Sequence, residues 1–169
     1  APPAADADPA ATRDRISAAV AGLLGLVGIA ADPLKSREHI LISNILASSW
    51  QGGKDLDIAA LIRATPNLDW LLLTKRIENY ERFAPWSDVP RNVWLGVTCE
   101  NQQYYDRRWA ILSEIEAEIR FVSYEPALGS LELSCRNNAS VPDWIICGGE
   151  SGAGARIMKP RWARNLRDE

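Results

Sequence analysis

Four short apolar runs, each followed at once by charged or turn-forming residues, limit most strongly how this chain can fold. The runs are residues 70–74, 93–97, 120–123 and 144–147, and polar stretches of helical character, such as residues 101–118, lie between them. Short uninterrupted apolar runs are typical of strands buried on both faces of a parallel sheet. Four such strands joined by helical crossovers predict an α/β fold with a partial parallel (β/α) barrel-like sheet of about four strands.

The chain before Pro66 has helical periodicity and predicts about three helices ahead of the sheet. In the first helix the apolar residues recur at helical spacing, namely Ile16, Val20, Leu23, Leu24 and Val27. Asp32 and Pro33 predict the start of the second helix, because Asp caps free amides and Pro suits the first turn. Its predicted buried face consists of Leu41, Ile42, Ile45, Leu46 and Trp50. Residues 55–63 predict the third helix.

These patterns divide the chain into three parts. Residues 1–11 are rich in Ala, Pro and Asp, have nothing to bury, and predict a disordered tail. Residues 12–64 form the helical segment and residues 65–169 form the α/β partial barrel. The boundary follows from the change in hydrophobic period after Pro66. The tryptophans near the strands, Trp70, Trp94 and Trp144, are predicted to pack in the core.

Charged residues follow the predicted strands in each repeat of the pattern. Lys75, Glu100, Glu125 and Glu150 come after the four runs and lie 25 residues apart. Because the carboxyl ends of parallel strands meet at one edge of a sheet, these side chains are predicted to face a common cleft. One cation and three carboxylates suit a polar ligand, a metal or proton transfer, so these four are the candidate catalytic residues. The alternative is that each charge is solvated or caps the following helix.

The sequence GGESGAGA at residues 148–155 is the candidate cofactor-binding loop. Its glycines allow backbone amides to approach a phosphate or carboxylate closely. The predicted contacts are Gly148, Gly149, Glu150 and Ser151. The letters match neither a P-loop nor the dinucleotide fingerprint, because the Lys-Ser or Lys-Thr ending and a third correctly spaced glycine are missing. An ordinary surface loop is the alternative.

Charge and hydropathy limit the expected partners. The formal net charge of −3 at pH 7 does not support the broad basic field of non-specific nucleic-acid binding, although a local basic patch leaves nucleic acid open. The apolar run at residues 16–31 is shorter than the roughly 20 residues that span a bilayer, so no membrane is expected. The partner is otherwise unknown.

The few cysteines and the single histidine exclude several kinds of site. Cys99, Cys135 and Cys147 are far apart and form no C-x-x-C pair, which predicts neither a disulfide framework nor a metal knuckle. A reducing compartment, and hence a cytoplasmic location, is the simplest interpretation. With His39 as the one histidine, a site built on several imidazoles is not expected.

Four stretches in the second part of the chain carry a resemblance to a known family. They read LDWLLLTKR at residues 68–76, NVWLGVTCENQ at 92–102, RFVSYEPALGSLEL at 120–133 and DWIICGGESGAGARIMKPRWARNLRD at 143–168. From about residue 61 onwards the chain thus resembles phage-borne proteins of unknown function that look like radical-SAM barrel enzymes. The resemblance implies a barrel-like fold, S-adenosylmethionine as cofactor, and an iron–sulfur cluster held by cysteines near the family's amino terminus.

The chain departs from that family at the expected cluster ligands. No cysteine precedes Cys99, so the cysteine motif is absent and no cluster ligand carries over. Tyr124 and Lys159 also stand where the family pattern has other residues. Lys75, Glu100, Glu125 and Glu150 are therefore predicted to form one side of a site whose cluster-binding side is missing. The chain is radical-SAM-like by resemblance, but it is expected to be inactive as an enzyme.

Residues from about 23 to 62 resemble a second family. The stretches GLLGLVGIAADPLKSREHILISNIL and GGKDLDIAALI look like a helical segment of hexameric DNA-translocase-like ATPases, outside the nucleotide-binding core. No Walker A loop is present, so no ATP site carries over. Two resemblances that meet near Leu61 predict a fusion of gene fragments, a chimeric gene model or a truncated fragment.

Three functional hypotheses follow from these patterns. The first is an uncharacterised phage-type radical-SAM-like protein, incomplete or fused, without its cluster-binding motif. The alternative is a non-catalytic binding or assembly module, related to a DNA-translocase-like ATPase, whose helices dock onto a partner. The third is a chain without a selected function that folds poorly, because half a barrel leaves an unpaired sheet edge.

Overall fold

The structure, a computed structural model, describes residues 8–26, 32–84, 86–133 and 140–168. Its elements in chain order are α1 (Pro9–Leu26), α2 (Arg37–Gln51), α3 (Ile58–Ala64), β1 (Trp70–Thr74), a 3₁₀ turn (Ile77–Asn79), α4 (Tyr80–Phe83), β2 (Val93–Thr98), α5 (Gln102–Leu112), β3 (Ile119–Tyr124), β4 (Trp144–Cys147) and α6 (Pro160–Asp168). The chain divides into two compact units, Ala1–Thr65 and Pro66–Glu169. Among the described residues no helix combines the length and the apolar character needed to cross a membrane.

The second unit is built on one four-stranded sheet. Its strands are all parallel and lie in the order β1-β2-β3-β4, which is also their order in the chain. The prediction of a parallel α/β sheet of about four strands preceded by helices is confirmed. In the described residues β1 and β4 are the outer strands, so these four strands by themselves form an open sheet.

The two faces of the sheet differ in how well they are covered. Alternate residues of β2, such as Val93 and Val97, are fully buried, and α5 packs against this strand. Leu73, Gly96, Phe121 and Trp144 are register partners across the four strands and therefore share one face. On that face Leu73 is 50% exposed and Trp144 is 42% exposed.

The prediction of core tryptophans is therefore wrong for Trp144, and Trp70 and Trp94 are only half-buried. Trp144 contacts the rings of Trp94 and Phe121, at centroid distances of 6.0 and 5.7 Å, but its outer side remains open to solvent. The apolar runs correctly indicate strands. They do not reveal whether another element covers each face.

The first unit is a pair of packed helices followed by α3. Its core consists of Ile16, Val20 and Leu24 from α1, with Ile42, Leu46, Ala47 and Trp50 of α2 packed against them. The predicted tail is described only from Asp8, and α1 already begins at Pro9. Val27, which was predicted to belong to the apolar stripe of α1, lies outside the described residues.

The predicted start and buried face of α2 need correction. Asp32 accepts a hydrogen bond from the amide of Leu34 at 2.8 Å and its carbonyl accepts from Ser36 at 2.9 Å, so it closes a turn instead of capping a helix. The helix begins at Arg37. Leu41 is 41% exposed, whereas His39 is buried with its Nε2 3.3 Å from the carbonyl oxygen of Ser17.

Asp57 caps α3, and its removal gives a first test of the structure. Its Oδ1 accepts a hydrogen bond from the amide of Ala60 at 2.7 Å, which satisfies one of the free donors at the helix start. Asp57→Ala is expected to lower the free energy of unfolding by about 1 kcal/mol, measured by urea unfolding with circular dichroism. Asp57→Asn retains the acceptor and is expected to retain the stability. Equal losses in both variants would contradict the cap.

Candidate functional site

The candidate site lies where the four parallel strands end. Lys75 directly follows β1, Glu100 lies two residues beyond β2, and Glu125 and Gly148 directly follow β3 and β4. Because neighbouring strands are parallel and in register, these residues belong to the same edge of the sheet. That edge is where α/β folds generally bind ligands.

At the ends of β1 and β2, one carboxylate is held between two cations. The ammonium of Lys75 donates to Glu100 Oε1, and Arg108 Nη1 donates to Glu100 Oε2 at 2.9 Å. Arg108 also donates to the carbonyl oxygen of Thr98 at 2.6 Å and stacks over the ring of Tyr104, 4.2 Å from its centroid. We call Lys75, Glu100 and Arg108 the Glu100 cluster. Its formal charge is positive.

The ionisation of Glu100 follows from these contacts. Burial acts to raise the pKa of its carboxyl, but the hydrogen bond from Lys75 and the charges of Lys75 and Arg108 outweigh it, so the pKa is lowered from 4.5. The side chains of Glu100 and Arg108 are only 15% and 12% exposed, whereas that of Lys75 is 55% exposed. Lys75 is therefore the part of the cluster that a ligand can reach most easily.

Arg108 is a site residue that the sequence patterns did not predict. The sequence placed it only within the polar, helix-like stretch of residues 101–118. Asn101 caps α5 by accepting a hydrogen bond from the amide of Tyr104 at 3.2 Å, and the helix then begins at the sheet edge. Seven residues are about two helical turns, so Arg108 lies on the same side of α5 as this cap and returns to the edge. The seven-residue spacing between Asn101 and Arg108 could therefore have identified Arg108 from the sequence.

Glu125 has a different environment from Glu100. It is exposed, and Ser123 Oγ donates to its Oε2 at 3.4 Å. The structure gives Glu125 no cation partner among the described residues. A Cβ on Gly148 would lie 3.0 Å from Glu125 Cδ and closer still to Oε1, so the carboxyl rests on the Gly148 backbone in the space that a side chain would occupy. The Glu125–Pro126 peptide bond is cis.

The glycine-rich loop after β4 is organised around Glu150. Its Oε2 accepts hydrogen bonds from the backbone amide and Nε of Arg156, both at 2.8 Å, and its Oε1 accepts from Nη2 at 2.6 Å. The hydrogen bonds from Arg156 lower the pKa of Glu150 to about 2. Gly152 and Gly154 adopt positive φ values of 101° and 80°, which the tight return of the loop requires.

The predicted common cleft is thus divided into three parts. Lys75 and Glu100 are in direct contact, Glu125 lies against Gly148, and Glu150 accepts hydrogen bonds from Arg156 within its own loop. No ion pair in the described part of the chain joins these three groups. Gly149 and Ser151 are exposed at the start of the loop, and their binding role stays a prediction.

The described cysteines do not provide a cluster site. Burial raises the pKa of the Cys99 thiol to about 12, and burial, then the charge of Glu125, raises the pKa of Cys147. Cys135 lies outside the described residues. Within the described ranges no group of three or more His, Cys, Asp or Glu side chains is placed to hold a metal ion. The residues that the structure describes therefore do not fit the iron–sulfur cluster that the sequence resemblance implies.

Comparison with known proteins places the chain in a family. No curated protein and no solved structure matches it. A family described as a protein of unknown function, DUF5131, matches residues 43–169, which include all four strands and every residue of the candidate site. The match begins inside α2, before the predicted limit near residue 61, and takes in part of the stretch that resembled the ATPases. The chain belongs to the DUF5131 family of proteins of unknown function.

Proposed function

We propose that the carboxyl edge of the sheet binds the α-amino-acid end of a small molecule, and that this molecule is S-adenosylmethionine in a radical-SAM-like protein that lacks the cluster-binding cysteine motif. The observation that carries the proposal is the contrast between neighbouring strand ends. The Glu100 cluster has an excess of positive charge, and Glu125, one strand further along, is an exposed carboxylate without a cation partner among the described residues.

An α-amino acid carries one ammonium and one carboxylate, so it needs an acceptor and a donor at the same edge of the sheet. Glu125 would accept from the ammonium, and Lys75, the most exposed cation of the cluster, would donate to the carboxylate. The close approach of Glu125 to Gly148 leaves the loop amides near the same ligand. When bound, S-adenosylmethionine supplies an activated carbon–sulfur bond.

The residues of this chain position the ligand and hold its charges. Arg108 bonds to both Glu100 and the Thr98 carbonyl, which fixes Glu100 and through it the direction of the Lys75 ammonium. The Arg156 hydrogen bonds keep Glu150 ionised and the loop closed. Because the described cysteines do not fit a cluster, no redox step is assigned to them.

The test is isothermal titration with S-adenosylhomocysteine and with methylthioadenosine, which lacks the α-amino-acid end. We expect the first to bind and the second to bind at least about tenfold more weakly, since hydrogen bonds to charged groups contribute about 1.5–3 kcal/mol each. Glu125→Gln is expected to weaken S-adenosylhomocysteine binding by about 10- to 100-fold for the same reason.

Glu132→Gln is the matched control, because it removes the same charge from another exposed residue of the second unit. It is expected to leave the affinity unchanged. Equal affinity for the two ligands, or equal affinity of Glu125→Gln and the wild type, would refute amino-acid recognition at this edge.

A further inference from the structure

The last described segment of the chain is strongly basic although the whole chain is acidic. Between Ser151 and Arg167 there is no acidic residue, whereas the basic residues are Arg156, Lys159, Arg161, Arg164 and Arg167. Arg156 is committed to Glu150 by the three hydrogen bonds described above. The other four lie on α6 or directly before it.

Helix α6 separates these cations from its apolar residues. Arg161, Arg164 and Arg167 are three positions apart, so they occupy one side of the helix, and all three are exposed. Trp162, Ala163 and Leu166 lie on the opposite side and are half-buried. The side of α6 that faces solvent is therefore a row of guanidinium groups, which we call the arginine face.

The arginine face is largely free to bind. In the described part of the chain the structure gives Arg161 and Arg164 no hydrogen bond or ion pair. Arg167 pairs with Asp168 at 2.7 Å, but both side chains are more than 60% exposed, and ion pairs of this kind contribute little. A stronger anionic partner can displace Asp168 at small cost.

We infer that the arginine face of α6 binds the phosphate backbone of a nucleic acid. Guanidinium groups match phosphate oxygens in a bidentate geometry, and several on one helix face match a chain of phosphates. A membrane surface fits less well, because interfacial helices insert their apolar side, and here that side is the half-buried one. Binding through α6 does not require a ligand at the sheet edge.

The test is fluorescence anisotropy with a labelled single-stranded oligonucleotide and its duplex, across about 50–200 mM NaCl. For two or three phosphate contacts, the logarithm of the binding constant should fall with the logarithm of salt concentration with a slope of about −2. The double variant Arg161→Gln, Arg164→Gln should make that slope shallower, between about −1 and zero, and should weaken binding about tenfold. Gln preserves the helix, because its helix propensity is close to that of Arg.

Two further variants separate local binding from general charge. Arg13→Gln with Arg63→Gln removes the same charge from exposed helix positions in the first unit and should leave slope and affinity unchanged. Asp168→Asn releases Arg167 and should steepen the slope by about 0.7–0.9. The inference is overturned if the control pair weakens binding as much as the α6 pair does, or if the wild type binds phosphatidylserine vesicles but neither oligonucleotide.

Discussion

Gly96→Ala is expected to lower the free energy of unfolding of the second unit by about 3 kcal/mol, at the upper end of the cost of overpacking a core. The new Cβ would lie 2.5 Å from Phe121 Cε2 and closer still to Cζ and Cε1. Phe121 is the register partner of Gly96 and is 1% exposed. Its ring lies across the glycine, so the added methyl group displaces a buried aromatic side chain.

A double-mutant cycle isolates this contact. In a Phe121→Leu background the ring is gone, and Gly96→Ala should then cost less than about 1 kcal/mol. Gly129→Ala is the control, since a Cβ at Gly129 meets nothing within 4 Å and its φ is not positive. Its effect should stay within about 0.5 kcal/mol in the same urea titration, followed by tryptophan fluorescence. Additive costs for Gly96→Ala and Phe121→Leu would show that the ring is not the obstacle.

Gly96 also illustrates how far the sequence predicts this fold. The runs at residues 70–74 and 144–147 coincide with β1 and β4, because short apolar segments between polar stretches have few other stable conformations. Nothing in the sequence around Gly96 indicates that the aromatic ring of Phe121, from the neighbouring strand, covers it. That relation depends on the register between β2 and β3, which the run lengths alone do not determine.

Helix limits were predicted less well than strands. Residues 101–118 were predicted as one helix, but α5 ends at Leu112, where the amides of Ser113, Glu114 and Ile115 bond back into a tight turn. The alternating glutamates beyond it contain no glycine or proline that would signal this end. Likewise, Asp32 does accept a hydrogen bond from a nearby backbone amide, as predicted for a cap, but this bond closes a turn that precedes α2.

The sequence could predict where the candidate site lies, but not which of its charged side chains form ion pairs with each other. Parallel strands place Lys75, Glu100 and Glu125 at one edge of the sheet, whatever the exact strand register. The ends of the predicted strands were therefore enough to identify these residues as candidates. Which charge pairs with which depends on residues that lie inside helices and loops. Arg108 neutralises Glu100, and Arg156 neutralises Glu150, which leaves Glu125 as the carboxylate without a cation partner in the described chain. The four residues thus have different partners despite their equal spacing.

Glu100→Gln is expected to lower the free energy of unfolding by about 2 kcal/mol at neutral pH, because it leaves Arg108, only 12% exposed, without its anionic partner. The loss should depend on pH. The pKa of Glu100 is lowered in the folded state, so ionisation of its carboxyl stabilises the fold. This contribution is fully present above pH 4.5 and is lost as the pH falls through the lowered pKa of the folded state. The unfolding curves of the variant and the wild type should therefore converge in acid.

Arg108→Met and the double variant complete this test. Arg108→Met should also destabilise, since Thr98 loses a donor and Glu100 keeps only Lys75. The double variant should cost at least about 1 kcal/mol less than the sum of the single changes, because removing both partners leaves no buried unpaired charge, and Lys75 is exposed. Glu114→Gln, at an exposed position, should change stability by less than about 0.5 kcal/mol at every pH. A pH-independent loss in Glu100→Gln would mean that packing, and not charge, holds the end of β2 against α5.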